Sequence, residues 1–157
     1  MMEVGARLAT RADLGDLHTL YRGLEAEMEA LHTMWPLSDG LAEPVAATLD
    51  RSLDQPDTVL VIGRIDDVIV GFLLARVEDL LPQAEGTQVG AIRRLFGDHP
   101  AREGGFGEAM LALALGELRK RGLTRFDAHV LPGHRLVKNF FEAGGFAARS
   151  ITMHHVD

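Results

Sequence analysis

A glycine-rich turn between a strand-like stretch and a strongly apolar helical stretch constrains this chain most. Arg102-Glu103-Gly104-Gly105-Phe106-Gly107 follows Gln88–Gly97, which reads as a strand. It precedes Glu108–Arg121, which reads as a helix with basic residues near its end and Gly122 as its stop. A helix N-terminus leaves four backbone N–H groups without intrahelical partners, and they carry partial positive charge. Glycine lets a backbone approach a ligand closely and adopt positive φ. The pattern predicts an anion cradle with Arg102 as a charge-assisted donor at its edge. Three glycines alone also suit a plain turn. Two common phosphate cradles fit poorly. A Walker-type loop needs Gly-Lys-Ser/Thr, where this chain has Gly105-Phe106-Gly107-Glu108. A dinucleotide fingerprint opens the first βαβ unit, whereas this turn lies two-thirds along the chain.

The surrounding pattern alternates in period. Arg7–Thr10 reads as a short strand, and Thr10-Arg11-Ala12-Asp13 has capping-box spacing. Leu14, Leu17, Tyr21, Leu24, Met28 and Leu31 step by three and four, which predicts an amphipathic helix over 13–31. His32–Pro44 reads as a loop and Val45–Leu53 as a second helix. Val59–Ile62 and Val68–Val77 read as hairpin strands turning at Asp66-Asp67. Leu80–Gly86 reads as a loop, Arg125–Val130 as a strand, His134–Ala143 as a helix, and Phe146–Val156 as a last strand. The expected order is βααβββαβαβ, a mixed sheet covered by helices.

Composition narrows the functional classes. The 157 residues contain no cysteine, so disulfides, thiolate metal sites and cysteine nucleophiles are excluded. A hydrophobic fraction of 46% suits a globular protein, and the length suits one domain over residues 1–157. Met1–Thr10 lacks a basic segment followed by an apolar run, and no apolar run is long enough to span a membrane. A soluble cytoplasmic protein is the expectation. The net charge of −7 argues against nucleic acid as the main partner. Residues 91–145 nevertheless carry nine Lys/Arg against six Asp/Glu, and the remainder seven against 17. His154-His155 resembles a metal pair, but neighbours on a strand face opposite ways, so no metal site is expected.

Arg102-x-x-Gly105-x-Gly107 between a strand and a helix resembles the pyrophosphate loop of the GNAT family of N-acetyltransferases. Arg7–Asp13 is similar to that family's opening. Leu95-Phe96-Gly97-Asp98 stands where the family has its bulged central strand. Phe140-Phe141-Glu142-Ala143-Gly144-Gly145-Phe146 is similar to its Leu/Phe-Tyr-Glu-x-x-Gly-Phe ending. The resemblance implies an α/β fold, a mixed and mostly antiparallel sheet flanked by helices. It implies an acetyltransferase that takes acetyl-CoA as acyl donor and a small-molecule or peptide amine as acceptor. The amides of Arg102, Glu103, Gly104, Gly105, Phe106 and Gly107 would hold the pyrophosphate. Leu95, Phe96 and Gly97 would pair with the pantetheine arm and polarise the thioester carbonyl, as donors do in an oxyanion hole.

Departures from the family pattern bear on catalysis. Phe141 occupies the position of the tyrosine that can protonate the leaving thiolate, and the only tyrosine is Tyr21. His134 replaces the customary asparagine; it could contact the ligand and donate a proton, or simply begin a helix. Glu85, with Glu78 and Asp79, flanks the loop where the family often places a base. His129 is a proton relay if it faces the cleft and a core histidine otherwise. Only twelve residues follow Gly145, so the family's last two strands are fused, shortened or completed by a second subunit, and a homodimer is an option. The acidic remainder includes the segments that usually form the acceptor side, which favours a cationic amine.

Overall fold

The computed structural model describes residues 2–35, 39–98, 102 and 104–157. Its elements are β1 (Val4–Leu8), α1 (Leu14–Ala30), α2 (Val45–Ser52), β2 (Thr58–Ile65), β3 (Val68–Asp79), β4 (Gln88–Gly97), α3 (Phe106–Lys120), β5 (Phe126–Ala128) and α4 (Arg135–Ala143). The strands form one sheet in the order β1-β2-β3-β4-β5. Its first three pairings are antiparallel and β4–β5 is parallel. This is the mixed, mostly antiparallel α/β sheet expected from the sequence.

The uninterrupted apolar run in β2 follows from cover on both faces. Leu60 and Ile62 pack with α1 and α2 residues such as Leu17, Leu24 and Leu49. Val59 and Val61 point the other way, into a cluster with Met110, Ala114 and Leu118 of α3. β3 alternates in the same manner, with Phe72 and Leu74 on one face and Leu73 and Ala75 on the other.

Two boundaries differ from expectation at the ends of the chain. β1 runs over Val4–Leu8 rather than Arg7–Thr10, because Thr10 already belongs to the next element. The Thr10 N–H donates to the Asp13 carboxylate at 2.8 Å, and Arg7 clamps the same carboxylate at 2.8 and 2.9 Å. The Arg7 hydrogen bond holds the buried Asp13 carboxyl below its usual range. At the other end, Phe146–Val156 forms no strand. Residues 147–157 are exposed, and Arg149 attaches the segment to β5 through a side-chain pair with Asp127 at 2.7 and 2.5 Å. A period-2 pattern makes a strand only where a ladder partner exists, and β5 offers just three residues. The order is therefore βααβββαβα.

Three glycines in register seat the glycine-rich turn. Gly63 pairs with Gly71, and Gly71 with Gly97, across β2, β3 and β4. A Cβ at these positions would come within 2.9, 2.7 and 2.6 Å of the Phe106 ring. The strip thus admits Phe106, the first residue of α3, directly against the sheet, beside the end of β4. Gly97→Ala should push α3 off this seat and destabilise the fold by about 1–3 kcal/mol, the usual cost of overpacking, read from denaturant unfolding.

Candidate active site

The open edge of β4 is the centre of the site. The Asp98 N–H donates to Val70 O at 2.7 Å. With the register, Phe72–Phe96 and Leu74–Arg94 are then hydrogen-bonded pairs, whereas Gly71–Gly97 and Leu73–Leu95 are not. The N–H and C=O groups of Leu95 and Gly97 therefore face away from β3. β5 pairs with β4 only at Gly90–Ile92, and the His129 N–H donates to Ile92 O at 3.0 Å. Beyond Ile92 the strands part. Phe96 belongs to the β3 ladder, and its ring packs on α1, about 3.0 Å from where a Gly23 Cβ would stand.

A bulge re-aims the next residue. Ala75 pairs with Ile92 and Leu74 with Arg94, so Arg93 is extra. The parting strands leave a narrow cleft of about 20 Å³, lined by Trp35, Arg93, His129, His134 and Phe141 among others. Arg93 makes a bidentate pair with Glu78 at 2.7 and 2.6 Å, and its Nη1 lies 3.7 Å from Asp39. The hydrogen bond from Arg93 holds the Glu78 carboxyl below its usual range. Arg93 Nη1 also stands 3.2 Å from His129 Nδ1. A guanidinium can only donate, so Nδ1 accepts and the proton of the neutral ring sits on Nε2. Burial, then Arg93, pushes the His129 pKa down, which keeps the ring neutral. His129 thus offers a donor at the cleft, with its basic nitrogen already engaged.

A second network ties the glycine-rich turn to α1. Arg102 Nε donates to Gly97 O at 2.9 Å, and Nη2 pairs with the Glu27 carboxylate. The guanidinium also covers the Phe96 ring at 5.6 Å. The other Glu27 oxygen lies 3.3 Å from His134 Nε2. Burial pushes the Glu27 carboxyl up, but hydrogen bonds from His134 and Arg102 outweigh it, so its pKa is lowered. Arg102 is therefore turned inward and fixes the turn. A helix start leaves backbone N–H groups that can take an anion, and at the start of α3 Gly105 is the N-cap with φ +87°.

The structure gathers Leu95, Gly97, His129, His134 and the described turn residues Arg102, Gly104, Gly105, Phe106 and Gly107 at one end of β4. Glu103 lies outside the described residues. Glu85 is not brought there: it is exposed, in a left-handed turn after Pro82–Ala84, and Glu78 stands beside the cleft instead. Tyr21 is buried away from the cleft lining, its hydroxyl accepting from the Leu41 N–H at 2.7 Å. Phe141, 3% exposed, lines the cleft without a phenol, stacked on Phe140 and edge-on to Phe146. The sequence reading missed Glu27, although a signal was present. Glu27 sits three residues after Leu24 and four before Leu31, an acid in the apolar stripe of α1.

A sheet that opens beside a glycine-rich helix start, with unpaired strand amides alongside, is the architecture of an acetyltransferase family. The Acetyltransferase (GNAT) family model matches residues 20–146, and the chain belongs to that family. A search of curated protein sequences found no match. Solved structures share the fold at low identity. An acetyltransferase from Trypanosoma brucei is 18% identical, with TM-score 0.68 over 98% of this chain and 99% of its own. The aminoglycoside antibiotic 6'-N-acetyltransferase AAC(6')-Ih from Acinetobacter baumannii is 13% identical, with TM-score 0.76 over 99% and 98%. AAC(6')-Iy, solved in complex with the bisubstrate analogue CoA-S-monomethyl-acetylneamine, is 16% identical, with TM-score 0.74 over 100% and 98%. Among the described residues, no helix is long and apolar enough to cross a membrane.

Proposed function

We propose that the chain transfers an acetyl group from acetyl-CoA to a primary amine by direct attack. The observation that carries this reading is the open β4 edge, Leu95 and Gly97, ending beside the N-cap glycine of α3. The residues fit such a donor. Backbone N–H groups at Gly104–Gly107 hold the pyrophosphate, and the Gly105 conformation leaves the helix start uncovered. The Leu95 and Gly97 amides pair with the pantetheine arm. Bound acetyl-CoA would supply an activated thioester: the amine nitrogen forms the C–N bond and releases one proton to solvent, the C–S bond breaks, and the thiolate leaves and takes one proton. Strand amides and the His129 Nε2–H stabilise charge on the carbonyl oxygen. His134, beside Glu27, donates the proton to the thiolate.

A turnover screen over small amines and peptide N-termini, read by thiol release, tests the reading. His134→Ala should lower kcat by about 10²–10⁴-fold, the usual contribution of a general acid. A folded His134→Ala protein with the wild-type kcat would assign His134 to holding Glu27 only. Phe141→Tyr puts a phenol in the cleft at the family's usual position. It should change kcat by much less than that about 10²–10⁴-fold, since thiolate is a fair leaving group and His134 supplies the proton.

The lack of a phenol at Phe141 also favours a second reading, a CoA-binding module without transfer activity. Calorimetric CoA binding with no turnover of any amine would select it.

A further inference from the structure

The acceptor side holds a cavity larger than the cleft, and its chemistry is one-sided. The cavity is about 260 Å³ and lies between α2, the segment before it, and the adjoining faces of β2, β3 and β4. Arg51, Arg76 and Arg94 line it together with Thr48, Ser52 and Thr58, and no carboxylate among the described residues lines it. This is unexpected in a chain of net charge −7.

Two of the three guanidiniums hydrogen-bond to no carboxylate among the described residues, although the buried Asp39 carboxylate acts on Arg94 through space. Arg51 donates to Thr48 Oγ1 at 3.1 Å, and no carboxylate lies within 4 Å of it among the described residues. Arg94 donates Nε to the Asp39 carbonyl oxygen at 2.9 Å, and its terminal nitrogens have no partner among the described residues. Arg76 has only a longer contact to Asp57, at 3.4 Å. Arg51 and Arg76 are exposed and Arg94 is half-buried, whereas the half-buried Arg93 and Arg102 each face a carboxylate. Burial dominates the Arg94 environment and lowers its pKa, although a guanidinium remains charged. A half-buried charge with unpaired donors is costly unless a ligand supplies the counter-charge.

Arg94 lines both this cavity and the β4–β5 cleft, and Asp39 of the cleft is followed by Gly40 of the cavity. We infer that the cavity binds a carboxylate of the acceptor, so that the substrate class is a small amine that also carries a carboxylate. The inference rests on the proposed acetyl transfer. A planar carboxylate matches the fork of Arg94, with Arg51 as a second donor. A polycationic amine such as an aminoglycoside is disfavoured by three guanidiniums in a lining that includes no carboxylate among the described residues. The charge of the whole segment thus points the opposite way from the charge of its cavity.

The test uses matched pairs of amino acids or short peptides and their carboxamides, with the purified full chain. The carboxylate form should show KM about 10–100-fold below its amide, as expected for charged hydrogen bonds. Arg51→Gln should raise KM for the carboxylate form by about tenfold or more, and by much less for the amide, so that the ratio between them shrinks. Equal KM values for acid and amide would overturn the inference while leaving acetyl transfer standing. If no amine is turned over, the proposed reaction fails and the cavity is judged by binding alone. Succinate should then raise the melting temperature of the wild type and not of Arg51→Gln. A succinate response absent from wild type, or equal in the two proteins, would overturn the inference.

Discussion

Gly105→Asp is expected to weaken coenzyme A binding by at least about 100-fold, or about 2.7 kcal/mol, with the fold retained. Gly105 is the N-cap of α3 at φ +87°, and nothing lies within 4 Å of where its Cβ would stand. A side chain therefore meets no steric block, and the cost to the fold is the left-handed backbone, roughly 1–2 kcal/mol for an L-residue. The carboxylate is another matter. It would occupy the positive end of α3, repel the pyrophosphate and compete for the same N–H groups. Gly105→Ala separates the two effects: it should carry the backbone strain and keep most of the affinity. Calorimetry with coenzyme A, alongside thermal unfolding of each variant, reads both quantities. Unchanged affinity in folded Gly105→Asp would remove the pyrophosphate from this turn.

The contrast between Gly105 and Arg102 explains how much of the site was legible in the sequence. A backbone role is written into residue type: glycines at 104, 105 and 107 before an apolar helix point to a cradle wherever the chain goes next. A side-chain role depends on what packs nearby. Arg102 reads as an anion donor, yet it turns to Glu27, 75 residues earlier in the chain. The seat for Phe106 was equally hidden, because Gly63, Gly71 and Gly97 become one strip only after three strands pair in register. His129 illustrates the same limit. Its sequence position allowed a proton relay, and only the bulge at Arg93 determines which ring nitrogen is engaged. The helices and the hairpin were legible because their apolar periods are local. The last strand failed because strand formation needs a partner, and no feature of Phe146–Val156 alone reveals whether one exists.

Glu27→Ala is expected to cost about 3–5 kcal/mol of folding stability at pH 7, the usual effect of removing one partner from a buried ionic network. The Glu27 side chain is 9% exposed and receives Arg102 on one oxygen, with His134 3.3 Å from the other. Among the described residues, its loss leaves the half-buried Arg102 with Gly97 O and the Phe96 ring but no carboxylate, and loosens the first residue of the turn. CoA affinity should therefore fall as well, although Glu27 reaches the turn only through the Arg102 side chain. Glu27→Gln preserves shape and hydrogen-bonding capacity, so its loss should be smaller and should depend on pH. The folded carboxyl has a pKa below its ordinary value of about 4.3. Ionisation thus stabilises the fold fully above that value, and the contribution disappears as pH falls through the folded pKa. The stability gap between wild type and Glu27→Gln should be constant from pH 7 to about 5 and close only at more acid pH. Urea unfolding across that range measures it. A gap that does not narrow on acidification, or a Glu27→Ala protein as stable as wild type at pH 7, would show that the Glu27 charge does not hold the turn.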